Sequence, residues 1–238
     1  MQSAIQALFP PRCLSCGVQT HSDFGLCGAC WRETRFISGL ACDVCCLPLP
    51  GENLGDPVLC DTCLATPYPW KRGRAALVYE GTARKLILGL KYGDRQDLVG
   101  PLAGWMASCA RDLVETKTIV TPVPLHRQRL FRRKFNQAAL LGRHVARKLG
   151  VGYCPDLLVR TRNTVAHENM TREERVQNQF EAYVARPSRQ RTIRDAPVLL
   201  VDDVLTSGAT LAACSESLMR ANARSVNILV LARVAGNT

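Results

Sequence analysis

The sequence predicts an α/β fold: a mostly parallel sheet flanked by helices, preceded by a small cysteine-rich module. Three observations predict it. First, Val198-Leu199-Leu200-Val201 runs straight into Asp202-Asp203 and then Val204-Leu205-Thr206-Ser207-Gly208-Ala209-Thr210. An unbroken apolar run ending in carboxylates and a small-residue loop is how a buried parallel strand meets the helix that follows it. Second, Leu211, Ser215 and Leu218 then share one helix face, and Ser225 to Leu231 reads as another strand. This completes a strand–loop–helix–strand unit, for which a right-handed crossover is expected. Third, nine of the twelve cysteines lie before residue 64, in a pattern no ordinary apolar core uses.

The chain has 238 residues, 47% of them hydrophobic, enough for a sizeable core. The expected division is residues 1–68 for the cysteine-rich module and 69–238 for the α/β domain. No apolar run is long enough to cross a bilayer, and Met1 to Pro11 lacks the basic start of a secretory signal. The expectation is a cytoplasmic protein without membrane insertion. Charge is uneven. Up to residue 70, Arg12, Arg32 and Arg35 face six carboxylates, whereas 28 basic and 14 acidic residues follow. The basic part suits anionic partners such as phosphorylated ligands or nucleic acid.

The cysteines form four C-x2-C knuckles: Cys13/Cys16, Cys27/Cys30, Cys42/Cys45 and Cys60/Cys63. In a cytosolic chain such clusters read as metal ligands rather than disulfides. Each knuckle supplies two thiolates and zinc takes four, so two closed structural Zn2+ sites are expected. A segment this small and poor in large apolar residues needs metal in place of a core. The pairing nearest in sequence joins Cys13, Cys16, Cys27 and Cys30 at one ion and Cys42, Cys45, Cys60 and Cys63 at the other; interleaving is the other arrangement. Gly17 permits the tight turn after the first knuckle. Cys46 is read as a small buried residue rather than a ligand. Asp43 and Asp61 point to no chemistry.

In the second part, Pro67 and Pro69 followed by Lys71 to Arg74 read as a linker. Ala75 to Tyr79 is a strand, Glu80-Gly81 a turn, and Thr82 the cap of a helix through Leu90, closed by Lys91-Tyr92-Gly93. Lys91 has two readings, a partner of the helix dipole or a contact to phosphate or diphosphate. A second helix covers about 98–113. Thr118 to Thr121 is a short strand that breaks at Pro122-Val123-Pro124-Leu125-His126, where two prolines fix a rigid turn. A basic block follows, with Arg127, Arg129, Arg132, Arg133, Lys134, Arg143, Arg147 and Lys148 and no acid among them. Phe135-Asn136-Gln137 sits inside it. From Asn136 the pattern is helical, with Leu141, Val145 and Leu149 inward and Gly150 as the stop. Thr171-Arg172-Glu173-Glu174 has capping-box spacing.

The chemistry of the 198–210 stretch follows from residue types. In parallel sheets ligands bind beyond the carboxyl ends of strands. A loop of Thr206, Ser207, Gly208, Ala209 and Thr210 lets N–H groups and hydroxyls converge on a phosphate at a helix N-terminus. Asp202 and Asp203 would repel that phosphate but suit sugar hydroxyls or a hydrated divalent cation. The stretch resembles the phosphoribosyl diphosphate (PRPP) signature of type I phosphoribosyltransferases. With the four knuckles and Pro122-Val123-Pro124-Leu125-His126, Arg133-Lys134-Phe135-Asn136-Gln137, Arg160-Thr161-Arg162-Asn163-Thr164, Arg175, Asn178 and Phe180, nearly the whole chain resembles the ComF family. There are two departures: Lys134 stands where that family has glycine, and His167 where it often has glutamine. Lys134 either constrains the loop or adds a diphosphate contact.

The resemblance implies a double zinc ribbon followed by a type I phosphoribosyltransferase-like domain. It implies a diphosphate loop at 122–137, a hood over the site at 160–180, and PRPP held with Mg2+. In that picture Thr206 to Thr210 take the 5-phosphate and Asp202 and Asp203 the ribose hydroxyls. Lys91, Arg127, Arg133, Lys134, Asn136, Gln137 and Arg175 are candidate diphosphate or DNA contacts, Arg175 being equally readable as a solvated helix charge. No catalytic base is identifiable. Two functions follow. One is a PRPP-binding phosphoribosyltransferase with an unknown acceptor, linked to DNA uptake, competence or nucleotide metabolism. The other is a non-catalytic single-stranded DNA-binding protein of transformation or recombination, with other DNA-uptake or recombination proteins as partners. Few aromatics, Phe131 and Phe135, are available in the basic block for base stacking.

Overall fold

The computed structural model describes residues 10–20, 23, 25–52, 55–125, 130–131, 134–161 and 182–235. The cysteine-rich module is a repeat of one small unit. Cys13 N–H donates to Val18 O at 2.8 Å and Cys42 N–H to Leu47 O at 2.8 Å, each closing a knuckle flanked by a single bridge, Arg12 to Gln19 and Ala41 to Pro48. Each unit then ends in one helical turn started by a cysteine: α1 (Gly28–Arg32) after Cys27 and α2 (Asp61–Ala65) after Cys60. Gly17 at φ 77° and Cys46 at φ 62° occupy the same place, four residues after the first knuckle cysteine. Both donate N–H back to that cysteine's carbonyl at 2.9 Å. Cys46 therefore fills the left-handed position that glycine fills in the first unit, and its side chain is 2% exposed.

The second part is a five-stranded parallel sheet in the order β1-β7-β6-β2-β3. The strands are β1 (Gly73–Val78), β2 (Ile119–Pro122), β3 (Gly152–Tyr153), β6 (Pro197–Leu205) and β7 (Ser225–Arg233). A separate antiparallel pair, β4 (Leu158–Arg160) and β5 (Tyr183–Ala185), leads into and out of the 160–180 stretch. Strand β6 is buried on both faces, and its residues alternate between two cores. Leu199 and Val201 pack with helices α3 (Gly81–Tyr92), α4 (Val99–Cys109) and α5 (Gln137–Leu149) through Leu86, Leu102, Met106 and Leu141. Val198 and Leu200 pack on the other face with α6 (Gln190–Ile193) and α7 (Ala209–Arg220) through Ile193, Leu211 and Leu218. From β2 the chain moves outward to β3, and from β6 it moves the opposite way to β7. The β2/β6 gap is thus the topological switch point, where such sheets bind ligands.

Three local expectations change. Thr82 does not cap α3: the N-cap is Glu80, and Thr82 is buried with its hydroxyl donating to Glu33 Oε2 at 3.2 Å. The 98–113 helix is shorter, α4 being flanked by 3-10 turns at Gln96–Leu98 and Arg111–Leu113. Asp112 is drawn back by Arg72 and Arg74, each at 2.6 Å, and Leu113 O accepts from Asn227 Nδ2 at 2.9 Å, so the chain cannot continue as helix. The supposed linker is a docked strap. Trp70 is 3% exposed, and Arg72 and Arg74 reach Asp43 at 3.2 and 2.8 Å.

Those contacts hold the two parts together. The segment between the cysteine units adds to β1, with Ile37 N–H donating to Ala76 O at 3.0 Å and Val78 N–H to Arg35 O at 2.9 Å. A sheet edge is thereby covered. Asp43, unassigned from sequence, is the hub. Burial opposes its ionisation, but the Val58 N–H and the Arg74 and Arg72 guanidiniums outweigh that and hold its carboxyl below the usual value. A depressed carboxylate contributes fully above its unfolded value and loses that contribution as pH falls through the lowered one. Asp43→Asn should cost about 1.5–3 kcal/mol, the usual range for a charged hydrogen bond. Thermal unfolding at neutral pH would show it, and the gap from the wild type should close in acid. A gap that persists in acid would point to another cause.

Candidate functional site

The described residues hold two groups of cysteines with metal-ligand geometry, Cys13, Cys16, Cys27, Cys30 and Cys42, Cys45, Cys60, Cys63, the sulfurs of each lying within 4.8 Å of one another. This is the pairing nearest in sequence. Cys16 and Cys27 sulfurs are 3.7 Å apart, and Cys45 and Cys60 sulfurs 3.6 Å. A tetrahedral zinc with Zn–S near 2.3 Å requires about 3.8 Å, so the donor sets fit that ion. Cys27 N–H also donates to Cys13 Sγ at 3.3 Å. Burial opposes ionisation of Cys13, but the amides of Cys16, Cys27 and Ser15 outweigh it and lower its pKa to about 6. Cys42 is lowered to about 4, first by the Cys45 thiol against it and then by backbone amides that overcome burial. Each cluster thus contains a thiol already biased to the metal-binding form. All four cysteines of the second cluster are buried, whereas Cys16 is exposed and Cys27 half-buried in the first.

At the switch point, β6 carries Asp202 and Asp203 near its carboxyl end, before Val204 and Leu205, and the Thr206–Gly208 loop leads into α7. Gly208 is the N-cap in the left-handed region (φ 80°) and offers no side chain to the helix N-terminus. The first-turn N–H groups therefore remain for an anion, with the positive end of the helix dipole behind them. These residues surround a cavity of about 230 Å³ lined by Asp202, Thr206, Ser207, Ala209 and Thr210 among others. Asp202 Oδ1 accepts from Asp203 N–H at 2.8 Å. Asp203 pairs with Lys91 Nζ at 2.8 Å, with both side chains largely buried. Lys91, at the end of α3, thus reaches the end of β6, a partner that neither sequence reading of it foresaw.

The other sequence candidates fall as follows. Asn136 is the N-cap of α5, its side-chain oxygen accepting from Ala139 N–H at 3.4 Å and its Nδ2 donating to Val123 O at 3.0 Å. It ties the Pro122–Pro124 turn to the helix. Gln137 is 1% exposed and faces the protein interior. Lys134 is exposed, at φ 65°, 3.7 Å from Asp94. A left-handed backbone is the place for glycine, so a lysine there carries local strain. Arg127, Arg133 and Arg175 lie outside the described residues, as do His126 and His167. Phe131 is 86% exposed, while Phe135 packs against the core.

Four residues around the loop were missed. Arg233 Nη1 donates to Leu205 O at 3.1 Å and Thr206 O at 2.7 Å. Tyr68 OH donates to Ser207 O at 3.1 Å and its ring stacks on Trp70 with centroids 4.2 Å apart. Tyr183 is buried under the loop, its hydroxyl pushed up to about 12 mainly by burial, with Thr210 as a hydrogen-bond partner. Arg233 ends a strand beside β6, which is a signal sequence reading could have used. Tyr68 and Trp70 flank a proline and read as linker.

Comparison with known proteins agrees with this geometry. The double zinc ribbon domain model matches residues 4–65, and the phosphoribosyl transferase domain model matches residues 136–238. DNA utilization protein YhgH of Salmonella typhi is 31% identical over 219 residues, covering 89% of this chain and 92% of that protein. The Escherichia coli protein of the same name is 29% identical over 215 residues, covering 88% and 91%. Competence protein F of Haemophilus influenzae is 27% identical over 229 residues, covering 93% and 96%. Among solved structures, the allosteric regulatory enzyme of purine biosynthesis overlays 60% of this chain on 30% of its own length, at 17% identity and a TM-score of 0.41, a likeness too distant to carry weight. The molecule is thus a double zinc ribbon joined to a phosphoribosyltransferase-fold domain. It belongs to the ComF family, with the YhgH and competence F proteins as relatives. No helix among the described residues is long and apolar enough to cross a membrane.

Proposed function

We propose that this protein binds PRPP with Mg2+ at the carboxyl end of β6 and transfers its phosphoribosyl group to an acceptor. The observation that carries the reading is the juxtaposition of Asp202 with an uncapped helix N-terminus around a 230 Å³ cavity, with Asp203 beside it on β6 and paired to Lys91. A phosphate alone would not tolerate the carboxylates, and a sugar alone would not need the amides. Together they suit a ribose 5-phosphate. In this reading the amides and hydroxyls of 206–210 hold the 5-phosphate, and Asp202 and Asp203 the ribose hydroxyls. Mg2+ bound there with PRPP would supply positive charge against the departing diphosphate. Lys91 holds Asp203 in place and lies at hand for that diphosphate; Lys134, with Arg127, Arg133 and Arg175, completes the candidate set. The bond from the anomeric carbon to diphosphate breaks as one to the acceptor forms. No described side chain is placed as a general base, so the acceptor supplies its own nucleophile and any proton it loses passes to the departing diphosphate. The boundary between the two parts falls at 68–69, and the two cysteine clusters hold structural zinc.

The relatives' names tie this reading to DNA utilization and competence, which makes a nucleic-acid or nucleotide acceptor the first class to test. Diphosphate release from PRPP should appear with one of the candidate acceptors. If instead the protein shifts single-stranded DNA in a salt-dependent way and neither binds nor cleaves PRPP, the transfer reading is wrong.

A further inference from the structure

We infer that Tyr68 is a positioning residue that couples the second cysteine cluster to the phosphate loop, so that metal in that cluster sets the order of the loop. The coupling rests on the PRPP reading only for its ligand; the mechanical link is in the fold itself. Tyr68 packs against the cluster formed by Cys42, Cys45, Cys60 and Cys63. It stacks on Trp70 at 4.2 Å and 19°, and Trp70 Nε1 donates to Val44 O at 2.9 Å, inside the Cys42/Cys45 knuckle. The same two rings touch the loop. A Cβ placed on Gly208 would lie 2.8 Å from Tyr68 Cε1 and 3.0 Å from Trp70 Cη2, so the backbone there rests directly on the aromatic pair.

The hydrogen bonds say what this contact does. Tyr68 OH takes Ser207 O, and Arg233 takes Leu205 O and Thr206 O. A trans peptide holds its N–H opposite its C=O. Fixing three successive carbonyls therefore turns the N–H groups of Thr206, Ser207 and Gly208 away from Tyr68 and Arg233. Tyr68 governs the last of these, next to the helix N-terminus. The ring in turn is seated on a knuckle whose shape depends on four thiolates sharing one ion. The first cluster docks elsewhere, Leu14 O accepting from Arg95 and Glu33 meeting Thr82 and Lys85. Only the second cluster reaches the loop among the described residues.

The test uses the full-length, metal-loaded protein and reads amide hydrogen exchange over 205–212, with β2 as the internal reference, alongside PRPP binding. Tyr68→Phe keeps the stack and loses the bond to Ser207; loop exchange should quicken about five-fold and PRPP binding weaken by a similar factor, with β2 unchanged. Tyr68→Ala, or stripping the second cluster of metal, should quicken loop exchange ten-fold or more. If Tyr68→Ala does not fold, Tyr68→Phe decides. Loop exchange that stays at the wild-type rate in Tyr68→Phe, or after metal loss from the second cluster, overturns the coupling. Loop exchange that responds in a protein unable to bind PRPP sinks the proposed ligand and leaves the coupling standing.

Discussion

Asp202→Asn combined with Asp203→Asn should weaken PRPP binding by at least 100-fold. Each carboxylate would accept hydrogen bonds from ribose hydroxyls or from water on the cation, and charged bonds of this kind contribute about 1.5–3 kcal/mol apiece. The two positions differ in their effect on the fold. Asp203 pairs with Lys91 at 2.8 Å, with side-chain exposures of 13% and 16%. Neutralising it strands a largely buried ammonium, so Asp203→Asn should also lower the melting temperature. Asp202 bonds the neighbouring amide, an interaction an asparagine oxygen can reproduce, so Asp202→Asn should weaken the ligand with little change in melting. Calorimetry on each single variant and the pair, beside thermal unfolding, separates the two effects. A double variant that binds PRPP as the wild type does would remove the carboxylates from the site.

Removing metal should have the second large effect, and it should come in two steps. Among the described residues, the apolar side chains packed around the second cluster are Val44, Leu47, Leu49 and Tyr68, too few to form a core without coordination bonds. Apparent binding energies for such sites are about 10–16 kcal/mol at neutral pH. Zinc requires thiolates, so acid as well as chelator drives it off. The first cluster should release first, because Cys16 is exposed and Cys27 half-buried, whereas all four cysteines of the second cluster are buried. For Cys13 and Cys42, whose values lie below that of a free thiol, the contribution is complete above the free-thiol value and is lost as pH falls through the lowered ones, whereas Cys30 and Cys63, raised mainly by burial, and Cys45, raised first by Cys42, run the other way. A chelator titration read by a zinc indicator should show two ions per chain released in sequence. Fewer than one ion per purified chain would contradict the two-site account.

Much of this architecture was legible in the chain. Val198 to Val201 has no choice but a doubly buried strand, and the C-x2-C spacing dictates paired thiolates whatever surrounds them. Asn136 and Gly150 mark both ends of α5 by their cap chemistry. What was not legible depends on residues far apart in sequence. Lys91 looks like a helix-dipole lysine until the sheet brings Asp203 beneath it. Asp43 looks like a surface acid until the strap lays Arg72 and Arg74 across it. Tyr68 and Trp70 lie in a proline-flanked stretch that reads as linker, and only tertiary docking turns them into the seat of the loop. Cys46 reads as a spare cysteine, and the backbone at φ 62° shows that it stands in for a knuckle glycine.

Isothermal calorimetry of PRPP with Mg2+ against the zinc-loaded full-length protein tests the central claim most directly. One binding site per chain is expected, competed by ribose 5-phosphate and by diphosphate and lost in the Asp202→Asn, Asp203→Asn pair. Absence of binding at millimolar PRPP with the metal content intact would contradict the account.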